Sequence, residues 1–382
     1  MRLSLAVLLA LVLTLGGLAV LVWLIPAAPM TGDGQSYIQF VRNGLQHGAS
    51  SWHERRLLGP LIVRALPMDA EPGFFVLTTA SLAVTAWLSW LAARDLLRDE
   101  ARALLAIPLL FGTWVVAPNL REYGLVDPLA WAFAAGVWWA TLRRQWYVAA
   151  AVAAIGVVAK EILVLAALAA AAAAFDARRS WRRSVGVAAP AVLVAVGLTV
   201  AFPGSGADAL AYVFKWVRDG LFSNGVLRAG FLLFAAYGAL WLLVPRGWLA
   251  LPPHLARAGV VFVAAAVALP LVGSPERMEE AIFPLVISCA LLATRAWGIR
   301  LVWLLALCAA TFAARVGGSA ELPVHVNLGF GGRTVQLETF VAAVCLAIAC
   351  GLALWSYVPQ AIRRAAATAP AGALPGTRAR SP

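Results

Sequence analysis

The stretch RRQWYVAAAVAAIGVVAKEILVLAALAAAAAAFDARRSWRR, residues 143–183, decides the fold. Both ends are rich in arginine, both arms are apolar, and Lys160 and Glu161 lie at the centre. Because arginine clusters mark the cytoplasmic side of a membrane, the apolar run 146–174 must cross the membrane an even number of times or not at all. Each arm of about 14 residues reaches only about 21 Å, short of the ~30 Å hydrocarbon core. The sequence therefore predicts a hairpin whose charged tip is sunk beneath the outer surface, in a polar cavity that opens outwards.

Composition extends this prediction to the whole chain. Hydrophobic residues make up 62% of the 382 residues and charged residues 13%, with a mean hydropathy of +0.85. These values are typical of integral membrane proteins and leave no segment polar enough for a separate soluble domain. We expect an all-α polytopic membrane protein with about twelve passes, counting the short hairpin at Lys160-Glu161 as two. Residues 1–358 form a single membrane domain in this prediction, and residues 359–382 form a disordered cytoplasmic tail.

The predicted spans outside the hairpin follow from hydropathy and flanking charges. Residues 3–25 are too long for a signal-peptide core and are expected to be a retained first helix. Further spans are predicted near 74–93, 103–118, 125–142, 185–202, 226–244, 258–273, 281–294, 301–315 and 339–358. Both termini then lie in the cytoplasm.

The net charge of +12 is an orientation signal rather than a nucleic-acid-binding surface. In the predicted topology the inner segments hold most of the arginines, whereas their acidic residues are Asp95, Asp99, Glu100 and Asp176. Among the basic residues, Lys160 and Lys215 are the lysines, and this arginine-rich bias hints at a bacterial source. The four cysteines fall in apolar spans, and the outer histidines lack metal-ligand spacing. No metal site or other cofactor is predicted.

Two outer segments have the pattern of helices that lie on the membrane surface. The first outer segment, residues 26–73, has apolar residues at helical spacing in two places: Tyr37, Ile38, Val41 and Leu45, and then Leu57, Leu58, Leu61, Ile62 and Ala65. Two interfacial helices are expected there. Residues 207–222 separate an apolar face from a charged face and predict a third.

Asp33 lies between two glycines just after the first helix, and Tyr37 follows four residues later. A carboxylate on a tight turn at the membrane surface can act as a general base for an acceptor hydroxyl. It can equally cap a helix that begins near Gln35. The two roles are compatible.

Arg55 and Arg56 are adjacent and precede the apolar helix pattern that contains Pro60. Two guanidiniums at the outer leaflet match a lipid phosphate, because each fork can bind its oxygens in pairs. The alternative is a pair of snorkelling side chains at the start of a helix.

Arg121, Glu122 and Asp127 belong to a short polar loop that ends at Pro128. An aspartate before a proline is typical of a helix N-cap with proline in the first turn. The position of the loop beside the proposed cavity leaves a functional role open.

The charges at the hairpin tip also have two interpretations. Lys160 ends one arm and Glu161 begins the other, so each charge compensates a helix dipole and the two can pair with each other. Alternatively, Lys160 lies near the phosphate of a leaving group. Glu276 and Arg277 lie in a short outer loop that either closes the cavity or is solvated.

In this order, these residues resemble the GT-C superfamily of polytopic glycosyltransferases, in particular the bacterial type that uses polyprenyl-phosphate sugars. The resemblance rests on Asp33 with Tyr37, the run Arg55 to Pro60, Asp127-Pro128 and the Lys160-Glu161 hairpin, and covers about the first half of the chain. It implies that Asp33 is the catalytic base and that Arg55, Arg56 and Lys160 hold the donor phosphate. Many members place two adjacent acids in the first loop, whereas Gly34 follows Asp33 here, which puts a divalent-metal requirement in doubt.

The resemblance implies an enzyme of the bacterial inner membrane whose site faces outwards. It would transfer a hexosyl or pentosyl group from a polyprenyl-phosphate donor to a hydroxyl of a glycan, lipid or protein, with inversion. One alternative is a transporter or lipid flippase with its substrate site at the broken hairpin. Another is a non-catalytic subunit of an envelope-polysaccharide assembly.

Overall fold

The computed structural model describes residues 3–25, 27, 32–44, 54–113, 116–175, 181–202, 237, 240–241, 243–268, 280–298, 325–327 and 334–336. Helices dominate this part of the chain. They are α1 (Leu3–Leu24), α2 (Asp33–Asn43), α3 (Leu58–Ala65), α4 (Ala70–Leu97), α5 (Glu100–Ala103), α6 (Ala106–Phe111), α7 (Ala117–Arg121), α8 (Asp127–Leu142), α9 (Trp146–Ala159), α10 (Leu163–Ala174), α11 (Trp181–Ala201), α12 (Val244–Trp248), α13 (Pro253–Ala268), the 3₁₀ helix Glu280–Ile282 and α14 (Phe283–Trp297). Two short strands, β1 (His325–Asn327) and β2 (Thr334–Gln336), pair antiparallel.

Three of these helices, α1, α4 and α11, are long and apolar enough to cross a membrane. Their outward faces hold large apolar side chains, such as Leu8, which is 55% exposed, and Leu193, which is 69% exposed. Because such faces are unfavourable in water over a whole helix, the described part is consistent with a helical membrane protein. The number of passes and their orientation stay predictions.

The predicted hairpin is present as two short helices with a break at its charged centre. Helix α9 has 14 residues and α10 has 12, so they reach about 21 Å and 18 Å. The backbone of Lys160 is extended, which ends α9. Helix α9 lies close to α8 at Gly156, because a Cβ added to this glycine would lie 2.9 Å from the Cβ of Phe133 in α8. Helix α8 packs against α4, α9 and α10 and forms the centre of this part of the structure.

The first outer segment contains helices where two were expected, α2 and α3. Tyr37, Ile38 and Val63 from these helices pack with Phe74 of α4 and Val126 in a small buried cluster. The two helices are therefore attached to the helical bundle by a core of their own. Their position at a membrane surface stays a prediction.

The predicted span 103–118 is wrong, because its described residues form the short helices α5 and α6 and the start of α7. Asp99 caps α5 by accepting a hydrogen bond from the Arg102 backbone N–H at 3.2 Å. Pro108, which has no backbone N–H, lies in the first turn of the next helix. Most apolar residues of this stretch are buried in the main core. An apolar run of this length is compatible with either a span or a buried segment, and here it is a buried segment.

The other predicted spans differ from the structure mainly at their ends. The spans 74–93, 125–142 and 185–202 correspond to α4, α8 and α11, and 258–273 and 281–294 correspond to α13 and α14. The predictions for 207–222, 301–315, 339–358 and 359–382 fall outside the described residues, as does most of 226–244.

Gly247 marks the closest approach between helices α12 and α14. A Cβ added there would lie 1.9 Å from the backbone oxygen of Cys289, which cannot move without shifting α14. We expect Gly247→Ala to destabilise the protein by about 1–3 kcal/mol, measured by chemical unfolding in detergent. Gly197→Ala is the matched control, because no atom of the described residues lies within 4 Å of its added Cβ. That variant should be neutral or more stable by up to about 1 kcal/mol, and equal losses in both would contradict the packing argument.

Candidate functional site

A buried ion pair joins the hairpin tip to the start of α8. The Lys160 ammonium donates to Oδ1 of Asp127, and the two side chains are 2% and 1% exposed. The ammonium also lies 5.2 Å from the ring centroid of Trp131, within range of a cation–π interaction. Trp131 is one helical turn after Asp127 and thus on the same face of α8. The ion pair and the cation–π contact together hold the hairpin tip against α8.

A second ion pair joins the same tip to the first outer segment. Nε and one terminal nitrogen of Arg56 donate to the two carboxylate oxygens of Glu161, at 2.9 Å and 2.5 Å. The Arg56 side chain is 9% exposed and that of Glu161 is 38% exposed. Burial disfavours the charged form of Arg56, but the Glu161 carboxylate, with smaller contributions from Tyr37 and Asp127, outweighs this, so the pKa of Arg56 is raised above its ordinary value. The guanidinium is charged at all physiological pH values and holds Glu161 in a two-bond fork.

Tyr37 extends this network to α2. Its hydroxyl accepts a hydrogen bond from Arg56 at 3.3 Å, and its ring lies 6.4 Å from that of Phe74. Burial raises the pKa of Tyr37 above its ordinary value, and the nearby Arg56 only partly opposes that shift. The hydroxyl is therefore protonated at neutral pH. The carboxylates of Asp127 and Asp33 raise the pKa of Tyr37 further by electrostatic repulsion.

Removal of this hydroxyl tests the contact between α2 and the network. We expect Tyr37→Phe to lower the free energy of unfolding by about 1–2 kcal/mol, because buried Arg56 loses one acceptor. Tyr147→Phe is the matched control, since Tyr147 is 86% exposed. Chemical unfolding in detergent measures both, and an unchanged stability in Tyr37→Phe would show that the contact contributes nothing.

Asp33 is the first residue of α2, and Gly32 before it has a φ of +51° that favours glycine. The interpretation of Asp33 as the N-cap of a helix from Gln35 is wrong, because the helix starts two residues earlier and Gly32 occupies the cap position. The Asp33 side chain is partly exposed. The Asp33 carboxylate lies at the N-terminus of α2, one helical turn before Tyr37.

The structure also corrects two predicted pairings at the tip. Asp127 begins α8 rather than preceding it, and Val126 occupies the cap position, although Pro128 does lie in the first turn as expected. Lys160 and Glu161 do not form their ion pairs with each other: the lysine pairs with Asp127 and the glutamate with Arg56. Each hairpin charge is used to hold a different part of the chain.

Of the remaining predicted site residues, the structure describes Arg55, Arg121 and Glu122. Arg55 points away from Arg56 and donates to the backbone oxygen of Phe202 at 3.1 Å and 3.3 Å, at the end of α11. Arg121, the last residue of α7, is exposed, and Glu122 after it is partly buried. Glu276 and Arg277 lie outside the described residues. A role of Arg55, Arg56 and Lys160 in holding a phosphate stays a prediction.

The structure adds Trp131, which sequence reasoning missed although its four-residue spacing from Asp127 places both on one helix face. Within the described ranges, no group of three or more His, Cys, Asp or Glu side chains is placed to hold a metal ion.

Comparison with protein-family models, with curated proteins and with solved structures finds no match to this chain.

Proposed function

We propose that this protein is a membrane glycosyltransferase that moves a sugar from a polyprenyl-phosphate donor to an extracytoplasmic acceptor hydroxyl. The observation that supports the proposal is the hydrogen-bonded chain from Tyr37 through Arg56 to Glu161, because Asp33 lies one helical turn before Tyr37 in α2. It attaches a partly exposed carboxylate of the first outer segment to the tip of a hairpin too short to cross a bilayer. Such a carboxylate has a fixed position beside a polar network, which is what a general base requires.

In the proposed reaction, the Asp33 carboxylate takes the proton of the acceptor hydroxyl while its oxygen attacks the anomeric carbon. The bond from that carbon to the donor phosphate oxygen breaks, and the lipid phosphate leaves with the electron pair. A single displacement of this kind inverts the configuration at the anomeric carbon. The leaving phosphate requires cationic stabilisation.

Arg55 and Arg56 are the better candidates for that stabilisation. Lys160 is almost fully buried against Asp127 and Trp131, which fits a positioning role better than direct contact with a lipid phosphate. The Arg56 fork faces the partly exposed Glu161 carboxylate, so an arriving phosphate has to share the fork with Glu161 or displace it. Donor binding would thereby loosen the link between the first outer segment and the hairpin.

Reconstitution of the full chain in liposomes tests the proposal. The liposomes receive labelled sugars linked either to polyprenyl phosphate or to a nucleotide, together with a panel of glycan, lipid and peptide acceptors. We expect transfer from lipid-linked donors alone, with an inverted product. Transfer from nucleotide-linked donors, or retention of configuration, would contradict the mechanism.

A transporter or lipid flippase is the second candidate, and the Lys160–Asp127 pair favours it specifically. Buried ion pairs beside a broken hairpin recur at the substrate and ion sites of transporters. A transporter must also open this site to the cytoplasm, so cytoplasmic access of a polar label to a cysteine at Glu161 would favour transport. In the third candidate, a non-catalytic subunit of an envelope-polysaccharide assembly, Asp33→Asn would have no effect on the assembly's product.

A further inference from the structure

A second group of charged side chains lies at the far ends of helices α4 and α8, away from the ion pairs at the hairpin tip. Helix α4 begins at Ala70 and ends at Leu97. Helix α8 begins at Asp127 and ends at Leu142. At these far ends lies a cavity of about 480 Å³, lined by Arg94, Asp95, Arg98, Glu100, Leu142 and Arg143. We propose that this cavity binds a phosphate-bearing headgroup that also carries a hydrogen-bond donor, such as the hydroxyl or ammonium group of a phospholipid. The inference is independent of the proposed transferase activity.

Two of the three guanidiniums that line the cavity, those of Arg94 and Arg143, are held by neighbouring side chains. Asp95 accepts hydrogen bonds from the Trp139 ring nitrogen at 3.0 Å and from Arg94 at 3.3 Å, and its carboxylate lies 3.6 Å from Nε of Arg143. Arg94 and Arg143 also stack over the rings of Trp90 and Trp139, at 5.2 Å and 5.1 Å. One carboxylate is therefore shared by two ordered guanidiniums, which leaves positive charge for an anion.

Arg98 adds a third guanidinium to the wall of the cavity. Its side chain is exposed, and within the described part of the chain no hydrogen bond or ion pair engages it. Its backbone is in the left-handed conformation with a φ of +52°, which ends α4 and turns the chain toward α5. A guanidinium in this position is available to a phosphate oxygen.

Glu100 supplies the complementary group. Its Oε2 atom is buried and, among the described residues, accepts no hydrogen bond. Glu100 also lines the cavity, so its carboxylate lies beside the three guanidiniums. A ligand with a phosphate and a nearby hydroxyl or ammonium group matches both the guanidiniums and this carboxylate. Because the cavity lies at the ends of apolar helices, where headgroups are expected, a membrane lipid is the natural source.

Lipid binding to the purified full chain tests this inference. Native mass spectrometry counts bound lipid across titrations with phosphatidylglycerol, which has donor hydroxyls, and with phosphatidylcholine, which has none. We expect one retained phosphatidylglycerol that phosphatidylcholine does not replace. Arg98→Gln should weaken its binding about tenfold, the loss of roughly one charge-assisted contact.

Arg144→Gln is the matched control, because Arg144 is also exposed, also has a positive φ and lies just outside the cavity wall. Equal losses in Arg98→Gln and Arg144→Gln would overturn the inference, since they would indicate general attraction to a basic surface. Absence of both a retained phosphatidylglycerol and bound glycerol phosphate would overturn it as well. Soluble glycerol phosphate is tested in parallel: if it binds alone with the same dependence on Arg98, the site stands and its ligand is a soluble phosphate ester.

Discussion

Asp33→Asn is expected to reduce sugar transfer by about 10²–10⁴-fold, the usual contribution of a general base. Asparagine keeps the size of the side chain but cannot take a proton from the acceptor hydroxyl. The Asp33 side chain is partly exposed at the first residue of α2, so the change should leave folding intact. Initial rates of transfer from the lipid-linked donor, measured on wild type and variant at equal protein amounts, give the ratio.

Asp69→Asn is the matched control for that experiment. Asp69 is an exposed aspartate of the same outer segment, just before α4, and is outside the proposed site. Its variant should transfer sugar at the wild-type rate. Full activity in Asp33→Asn would remove Asp33 from the mechanism, and an equal loss in both variants would point to a general requirement for negative charge.

Lys160→Met is expected to cost about 3–5 kcal/mol of stability, because Asp127 then stays buried without its cation. Methionine is close to lysine in length and can fill the same space against Trp131. Asp127→Asn should also destabilise, because it leaves the lysine charge buried. The double variant Lys160→Met/Asp127→Asn removes both charges and should recover more than half of the larger loss. Chemical unfolding in detergent measures the four proteins of this cycle.

The exposed ion pair between Arg42 and Glu71 provides the control cycle. These side chains are 57% and 51% exposed and lie 3.4 Å apart, so their coupling should be at most about 1 kcal/mol. A large coupling at Lys160–Asp127 and a small one at Arg42–Glu71 is the expected result. Additive effects of the two single changes at the buried pair would show that Lys160 and Asp127 do not depend on each other.

The hairpin could be predicted from sequence because its signal is local. A long run of alanine and valine is interrupted once, at Lys160-Glu161, and the helices end and begin there. The helices of the first outer segment were predictable for the same reason, since Tyr37 and Ile38 belong to a regular apolar spacing. The predicted span 103–118 failed because burial inside the bundle and exposure to lipid demand the same apolar residues.

The ion pairs at the tip could not be predicted, because their partners are distant in the chain. Lys160 is 33 residues from Asp127, and Glu161 is 105 residues from Arg56. Local sequence favours the adjacent Lys160-Glu161 pair, but neighbouring residues at a helix break point in different directions. Packing of α8 against α9, and of the first outer segment against the tip, then decides which carboxylate each cation meets.

If the glycosyltransferase proposal is correct, the end of the bundle that holds Asp33, Arg56 and Lys160 faces outwards, and side-specific cysteine labelling determines this orientation. The four native cysteines are replaced by alanine, and single cysteines are placed at the exposed Gln39 in α2 and at the exposed Gln145 before α9. A membrane-impermeant maleimide is then added to sealed vesicles of known orientation. In the outward-facing orientation, Gln39→Cys reacts from the outer side and Gln145→Cys reacts only after the membrane is opened. Reaction of both cysteines from the same side, or the reverse pattern, would contradict the proposal.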